Sequence, residues 1–247
     1  MNVVNTQLAY ILHKRAYSET SSILEILSKD HGRVSLMSRG SRGAKSKIAG
    51  SLLLFTPLLI SWQGKGNLPY VKSIERADVK PPVLKNRSLL CSMYINELLM
   101  YLLHKNDVQE EVFQHYHHCL YLLESETELE ISLRYFEIKL LELLGFGLNF
   151  HCEADTSQPL SQNEIYSYHL EHGPVKNISS ATDVPQVSGG CLLALAAEDY
   201  QLISSNAKYL NELKHLMRFI INYHLGNKTL KSRELFKPVI DTDSVDR

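Results

Sequence analysis

At Pro81-Pro82 the apolar residues of this chain change their spacing. Before that pair they alternate, with a period of about 2; after it they recur at about 3.6. A strand pattern and a helix pattern cannot share one element, so the switch divides the chain into a β-rich module, residues 1–80, and a helical one, residues 81–247. The chain has 247 residues, enough for two such modules. Charge divides at the same place. Residues 1–80 hold 12 Lys+Arg against 5 Asp+Glu, a net of +7; residues 81–247 hold 14 against 22, a net of −8; the two sum to the −1 of the whole chain. Such asymmetry points to a nucleic-acid-facing module joined to an acidic body.

In the first module the sequence predicts five strands, at residues 7–17, 21–28, 33–39, 51–62 and 68–79. In the third, Val34 and Leu36 point inward against Ser35 and Met37. Pro57 forces a bulge or an edge position on the fourth. The second has so short an apolar run, Ile23, Leu24, Ile26 and Leu27, that a helical turn fits it equally well. Short turns and one longer basic loop make this a small Greek-key barrel such as an OB-fold. In the second module, helices are predicted at residues 83–104, 109–124 and 128–144, the last stopped by Gly145 and Gly147. Residues 149–189 are read as irregular, with a short hairpin near 166–169. Helices return at about 190–199 and 206–225, a short one follows at 232–236, and the tail 241–247 is expected to fray. The fold class is thus α+β: a five-stranded barrel followed by an all-helical domain.

The basic loop is SRGSRGAKSK, residues 38–47. It puts Arg39, Arg42, Lys45 and Lys47 into ten residues with no acid, and Gly40 and Gly43 keep it from forming a long helix. Charge-assisted hydrogen bonds and counterion release suit it to phosphate oxygens. A second basic patch, LGNKTLKSRELF, makes Lys228, Lys231 and Arg233 further candidate DNA contacts; cations at a solvated helix end are the competing reading. Candidate base-stacking aromatics in the barrel are Tyr10, Tyr17, Trp62 and Tyr70, with Phe55 assigned to the core.

Catalytic and metal patterns are weak. GSRGAKS, residues 40–46, fails as a P-loop because Ala44 stands where a Gly must precede the Lys. His115, His117, His118 and Cys119 lie on one predicted helix, but only His115/His118 and His115/Cys119 share a face and no third ligand is near in sequence. Cys91, Cys119, Cys152 and Cys191 are 28, 33 and 39 residues apart, which fits no disulfide framework or cysteine knuckle. They read as free thiols of a reducing cytoplasm. The longest apolar run, LLLFTPLLISW, is broken by Thr56 and Pro57, and the start MNVVNTQLAYILHKR has no signal-peptide pattern. A cytoplasmic, nucleoid-associated protein that is not an enzyme is expected.

Several stretches in order, YILHKRAYSETSSILEILSKDHGRVSLMSRGSRG, FTPLLI, YINELL, RYFEIKLLELLGFG and GNKTLKSRELF, together resemble the RecO family of bacterial recombination mediators over nearly the whole chain. The resemblance implies an N-terminal OB-fold and a helical C-terminal domain. It implies binding of single- and double-stranded DNA, annealing of complementary strands and association with RecR. It also implies action on DNA coated by the single-stranded-DNA-binding protein, whose acidic C-terminal tail is recognised, to help load RecA. On this view Arg33, Arg39, Arg42, Lys45 and Lys47 are DNA contacts. Many members hold zinc with four cysteines of the C-terminal domain; here only Cys152 and Cys191 lie beyond that domain's first three predicted helices, without a Cys-x-x-Cys, so no zinc and no cofactor is expected. An RNA-binding accessory of translation or ribosome assembly is the alternative, since a basic barrel suits RNA as well.

An acidic tail ending in an apolar residue needs an apolar pocket with cations at its rim. Arg134 is the candidate cation, with Ile131, Ile138 and Leu141 as a wall while Leu133, Phe136, Leu140 and Leu144 face the core. Lys208, Lys214 and Arg218 supply the opposite rim if their helix packs alongside. The competing reading is an ordinary Glu130–Arg134 pair on a helix surface. Under both readings Arg134→Ala is expected to leave the melting temperature almost unchanged.

Overall fold

The computed structural model describes residues 2–43, 48–176, 184–226 and 228–236. Strand β1 (Asn2–Ala16) pairs antiparallel with both β2 (Ser22–Ser28) and β4 (Leu58–Gly64). It serves both because its register shifts twice, between Val4 and Gln7 against β4 and between Ile11 and His13 against β2. Such bulges coil a long strand. The left-handed Thr6 (φ 49°) marks the first, where its N–H donates to Ser61 Oγ at 2.9 Å. β3 (Gly32–Ser38) pairs with β2, and β5 (Tyr70–Arg76) with β4. One parallel bridge, Met37 to Tyr70, closes the barrel in the order β1-β2-β3-β5-β4. This is the OB-fold that the strand count predicted.

The fourth strand begins later than expected. Residues 51–57 form no ladder beyond a single parallel bridge from Leu54 to Ile11: a 3-10 turn spans Ala49–Ser51, Phe55 is left-handed (φ 59°), and Pro57 has no N–H to donate. Their apolar side chains are nonetheless used, Leu52 inside the barrel and Phe55 against the helices.

That division explains the continuous apolar run in β2. Leu24 and Ile26 point into the barrel with Ala9, Ile11, Leu36 and Ile60, while Leu27, with Tyr10 and Leu12, packs on the helical core. All seven residues of β2 are buried. A strand covered on both faces loses polar alternation, which is why its sequence resembles a helical turn.

The helical body contains α1 (Asn86–Leu102), α2 (Glu110–Glu124), α3 (Leu129–Leu143), α4 (Gly189–Ala196), α5 (Tyr200–Ser205) and α6 (Ala207–Leu225), then a 3-10 turn at Lys231–Phe236. The predicted helices stand with shifted ends, the one near 190–199 being α4, and α5 is a short additional helix that the sequence reading missed. Residues 149–189 are not irregular throughout. They include a small antiparallel sheet of β6 (Ile165–His169), β7 (Gly173–Lys176) and β8 (Gln186–Ser188), in the order β7-β6-β8. Strands of three to five residues are too short to show a period. The tail 241–247 lies outside the described residues.

Barrel and helices are joined by polar contacts as well as by Tyr10, Leu12, Leu27 and Phe55. Tyr116 Oη donates to Asn96 Oδ1 (2.7 Å), and Asn96 Nδ2 donates to the Leu12 carbonyl (2.9 Å). Tyr10 Oη lies 2.6 Å from His117 Nδ1. The β2–β3 turn docks on the α1–α2 connection: Asn106 N–H donates to the Arg33 carbonyl at 2.8 Å. Gly32 (φ 62°) is required there, since a Cβ would meet the Asp107 carbonyl oxygen at 1.8 Å.

Candidate nucleic-acid interface and peptide cavity

The β2–β3 hairpin has two ends with opposite fates. Its turn docks against the α1–α2 connection; its open end carries the basic loop. Register brings Arg15 (β1), Ile23 (β2), Met37 (β3) and Tyr70 (β5) into one row across the sheet. The loop leaves β3 beside that row and is pinned there. Ser41 Oγ donates to Ser22 Oγ (3.0 Å) and to the Ser38 carbonyl (2.9 Å). Arg42 N–H donates to the Thr20 carbonyl (3.0 Å), and Arg42 Nη1 donates to the Ser18 carbonyl (2.7 Å). The Arg39 guanidinium lies 3.8 Å from the centre of the Tyr70 ring. Arg39 and Arg42 are both exposed; Lys45 and Lys47 lie outside the described residues. Exposed Arg15 and Lys72 flank this surface, and the sequence reading missed both. Arg15 follows Lys14 on β1 and Lys72 shares β5 with Arg76, both far in sequence from the loop, so only the register shows them near it.

Arg33 is a correction. It sits at the docked end of β3, about 20 Å along the strand from Arg39. Its guanidinium donates to the carbonyls of Met100 and of Leu103 (2.9 Å) and pairs with buried Glu25 at 3.5 Å. Lys105 reaches the same carboxylate at 3.6 Å. With two helix-end carbonyls and a carboxylate satisfied by it, Arg33 joins the domains and is not free for phosphate. Tyr10 and Trp62 are likewise buried, the first against the helices and the second inside the barrel.

The second site is a cavity of about 1110 Å³ in the helical body. Helix spacing builds each wall. α1 supplies Arg87, Leu90, Cys91 and Tyr94, α3 supplies Leu129, Glu130, Leu133 and Arg134, and α6 supplies Lys214, Arg218 and Asn222. The C-terminal segment closes it with Lys228, Leu230, Arg233, Leu235 and Phe236 among others. That segment is held by Glu97, which accepts from the N–H groups of Lys231 (3.0 Å) and Ser232 (2.8 Å) and from Ser232 Oγ (2.6 Å). Arg233 Nη1 donates to Asn222 Oδ1 at 2.6 Å.

Arg134 is 7% exposed and fixed by carboxylates. Its Nη2 pairs with Glu137 Oε1 at 3.0 Å, and its Nε lies 3.7 Å from Glu130 Oε1. Tyr94 Oη donates to the same Glu137 oxygen at 2.5 Å. Burial holds the Glu137 carboxyl above the usual carboxylate range despite Arg134. Burial opposes the charge on Arg134, but Glu137, Tyr94 and Glu130 together outweigh it and the guanidinium stays protonated. The expected surface Glu130–Arg134 pair is therefore the outer half of a buried triad.

The structure brings Arg134, Lys214 and Arg218 together, as expected. It does not bring Ile138, Leu141 or Lys208 to the cavity. Ile138 and Leu141 are in the core, at 2% and 0% exposure; Leu133 is in the core as expected and also lines the cavity. The cavity lies at the N-terminal half of α3, so residues 129, 130, 133 and 134 face it. Lys208 is at the far end of α6, 3.7 Å from Glu212. Lys228 and Arg233, grouped with DNA contacts from sequence, line the cavity with Arg134; exposed Lys231 is not among its lining residues. Arg87 was missed, although it lies three residues before Leu90 and seven before Tyr94 on one helix face.

Among the described residues no three His, Cys, Asp or Glu side chains gather where a metal ion would bind. Cys119 is buried, its Sγ 3.9 Å from the Ser132 carbonyl oxygen, and burial pushes its thiol well up. Nor is any described helix long and apolar enough to cross a membrane.

Family models for the N-terminal and C-terminal parts of recombination protein O match residues 1–79 and 87–234. The chain is similar to DNA repair protein RecO of Coxiella burnetii, with 43% identity over 92% of this chain and 95% of the relative. It is similar to that of Methylococcus capsulatus, at 39% over 93% and 91%, and to that of Nitrosococcus oceani, at 39% over 98% and 96%. With both domains matched in order and the barrel-plus-helices fold in place, the chain belongs to the RecO family of DNA repair proteins.

Proposed function

We propose that this protein is a two-site recombination mediator. The loop end of the barrel binds phosphates of single- and double-stranded DNA through Arg39, Arg42 and the neighbouring Lys45 and Lys47. The helical cavity binds the acidic, apolar-ended tail of the single-stranded-DNA-binding protein. Holding both lets the protein anneal coated strands and, with RecR, help load RecA, in the cytoplasm and on nucleoid DNA. No step needs a covalent intermediate, so no catalytic residue is assigned.

One observation carries this reading. In a module of net charge −8, six cations (Arg87, Arg134, Lys214, Arg218, Lys228 and Arg233) line one cavity with Leu90, Leu133, Leu230 and Phe236. An acidic ligand with an apolar end fits that chemistry. A role in DNA repair leaves the RNA-binding alternative without an observation of its own.

Annealing of complementary strands, naked and pre-coated with the cognate binding protein, tests the proposal. Arg39→Ala with Arg42→Ala is expected to slow annealing of both substrates. Lys214→Ala with Arg218→Ala is expected to leave naked strands unaffected and slow coated strands about tenfold or more. Wild-type rates on coated strands for both variants would refute the two-site reading.

A further inference from the structure

We propose that Tyr17 and Tyr70 are the base-stacking residues of the barrel, and that they make it favour single strands over duplex. The inference rests on the DNA reading of the loop end and deepens it. A single strand exposes ring faces that a duplex hides, so the discriminating feature is an exposed aromatic beside a cationic track. Tyr10 and Trp62 are 0% and 5% exposed; Tyr17 and Tyr70 are 59% and 36% exposed. Tyr17 follows β1 and Tyr70 begins β5, and loop residues Arg39 and Arg42 contact Tyr70 and the turn at Tyr17 respectively. Arg42 holds the loop to the turn that starts at Tyr17, through the Ser18 and Thr20 carbonyls. Arg39 lies over one face of Tyr70, a residue that is 36% exposed, and the proposed base sits on the opposite face. A base there completes a guanidinium–ring–base stack. The parallel bridge from Met37, with its N–H donating to the Pro69 carbonyl at 2.8 Å, sets the backbone of Tyr70 beside the loop.

The two residue types then have separable signatures. Arginines act on phosphates, so they affect single strands and duplex alike and set the salt dependence. Tyrosines act on bases, so they affect only strands with free ring faces. Anisotropy titrations of the whole chain separate them, using a single strand, a strand of equal length with abasic sites, and a duplex. Wild-type protein is expected to prefer the base-bearing strand over the abasic one. Tyr17→Ala with Tyr70→Ala should remove that preference, about tenfold or more. It should leave abasic and duplex affinity and the salt slope unchanged, and Tyr→Phe at both positions should restore the preference. A preference that survives the alanine pair overturns the proposal, as does equal loss on all three ligands. Wild-type protein that binds none of them overturns the DNA reading itself, and this inference with it.

Discussion

The barrel loop and the helical cavity both present arginines, but they hold them differently. Arg39 and Arg42 are exposed, on backbone kept polar by serines and glycines, and contact a ring and a carbonyl. Arg134 is buried between Glu130 and Glu137, with Tyr94 completing the site. The exposed pair is free to follow a flexible phosphate chain and is screened by salt. The buried one has its geometry fixed, and its charge cannot be removed without leaving another behind. Under the proposed function, the first kind of site suits phosphates of any sequence and the second suits one kind of peptide end.

The largest effect expected from this contrast is on stability. Arg134→Ala strands Glu137 in the core, and breaking a buried pair costs about 3–5 kcal/mol. This replaces the expectation from sequence of an almost unchanged melting temperature. Arg134→Met with Glu137→Leu should recover most of the loss, because the pair is removed together. A melting curve of Arg134→Ala like that of the wild type would erase the distinction between the sites.

Next comes salt. Arg39→Ala with Arg42→Ala should make the slope of log affinity for single-stranded DNA against log salt shallower by about 0.7 per lost contact, with little change in melting temperature. An unchanged slope in the folded variant would remove the loop from the interface.

A smaller effect lies between the two regions, at Tyr10 and His117. Burial holds the His117 imidazole below its ordinary value. The unfolded chain therefore binds more protons than the folded one near and below pH 6.5, so stability rises with pH through that window. His117 contributes fully above its unfolded value, and its contribution is lost as pH falls. Melting between about pH 5 and 7 should depend less on pH in His117→Gln than in wild type. An equal or steeper dependence would contradict this. His115 and His224, lowered by burial too, add slope of the same sign, and the Glu137 carboxyl, raised by burial, adds slope of the opposite sign.

The smallest effect is at Lys208, which pairs with Glu212 away from the cavity. Lys208→Ala should leave tail-peptide affinity within about twofold, as expected of an exposed ion pair. A loss like that of Lys214→Ala would extend the cavity's rim along α6.

Much of this was legible in the chain because it is local. The change of period at Pro81-Pro82, the glycine stops after α3 and the acid-free basic loop are short-range patterns, and each corresponds to a feature of the fold. Local cues misled where burial came from elsewhere. β2 reads as helix or strand with equal ease because one of its faces is covered by helices more than sixty residues away. Residues 51–57 read as strand because they are apolar, yet Phe55 and Pro57 deny them a ladder.

The candidate sites divide the same way. The exposure of Arg39 and Arg42 was legible because it follows from composition: a serine–glycine segment with four cations cannot bury itself. The fates of Arg33, Arg134 and Tyr70 were not visible. Arg33 and Arg39 differ by six positions on nearly the same strand, and only the docking of the β2–β3 turn on Asp107 tells them apart. Arg134 was chosen for its helix face, but which half of α3 faces the cavity depends on where α1, α6 and residues 228–236 cross it. Patterning is set by each residue's own solvation, which the sequence carries. Partners are set by the packing of distant segments, which only the folded chain supplies.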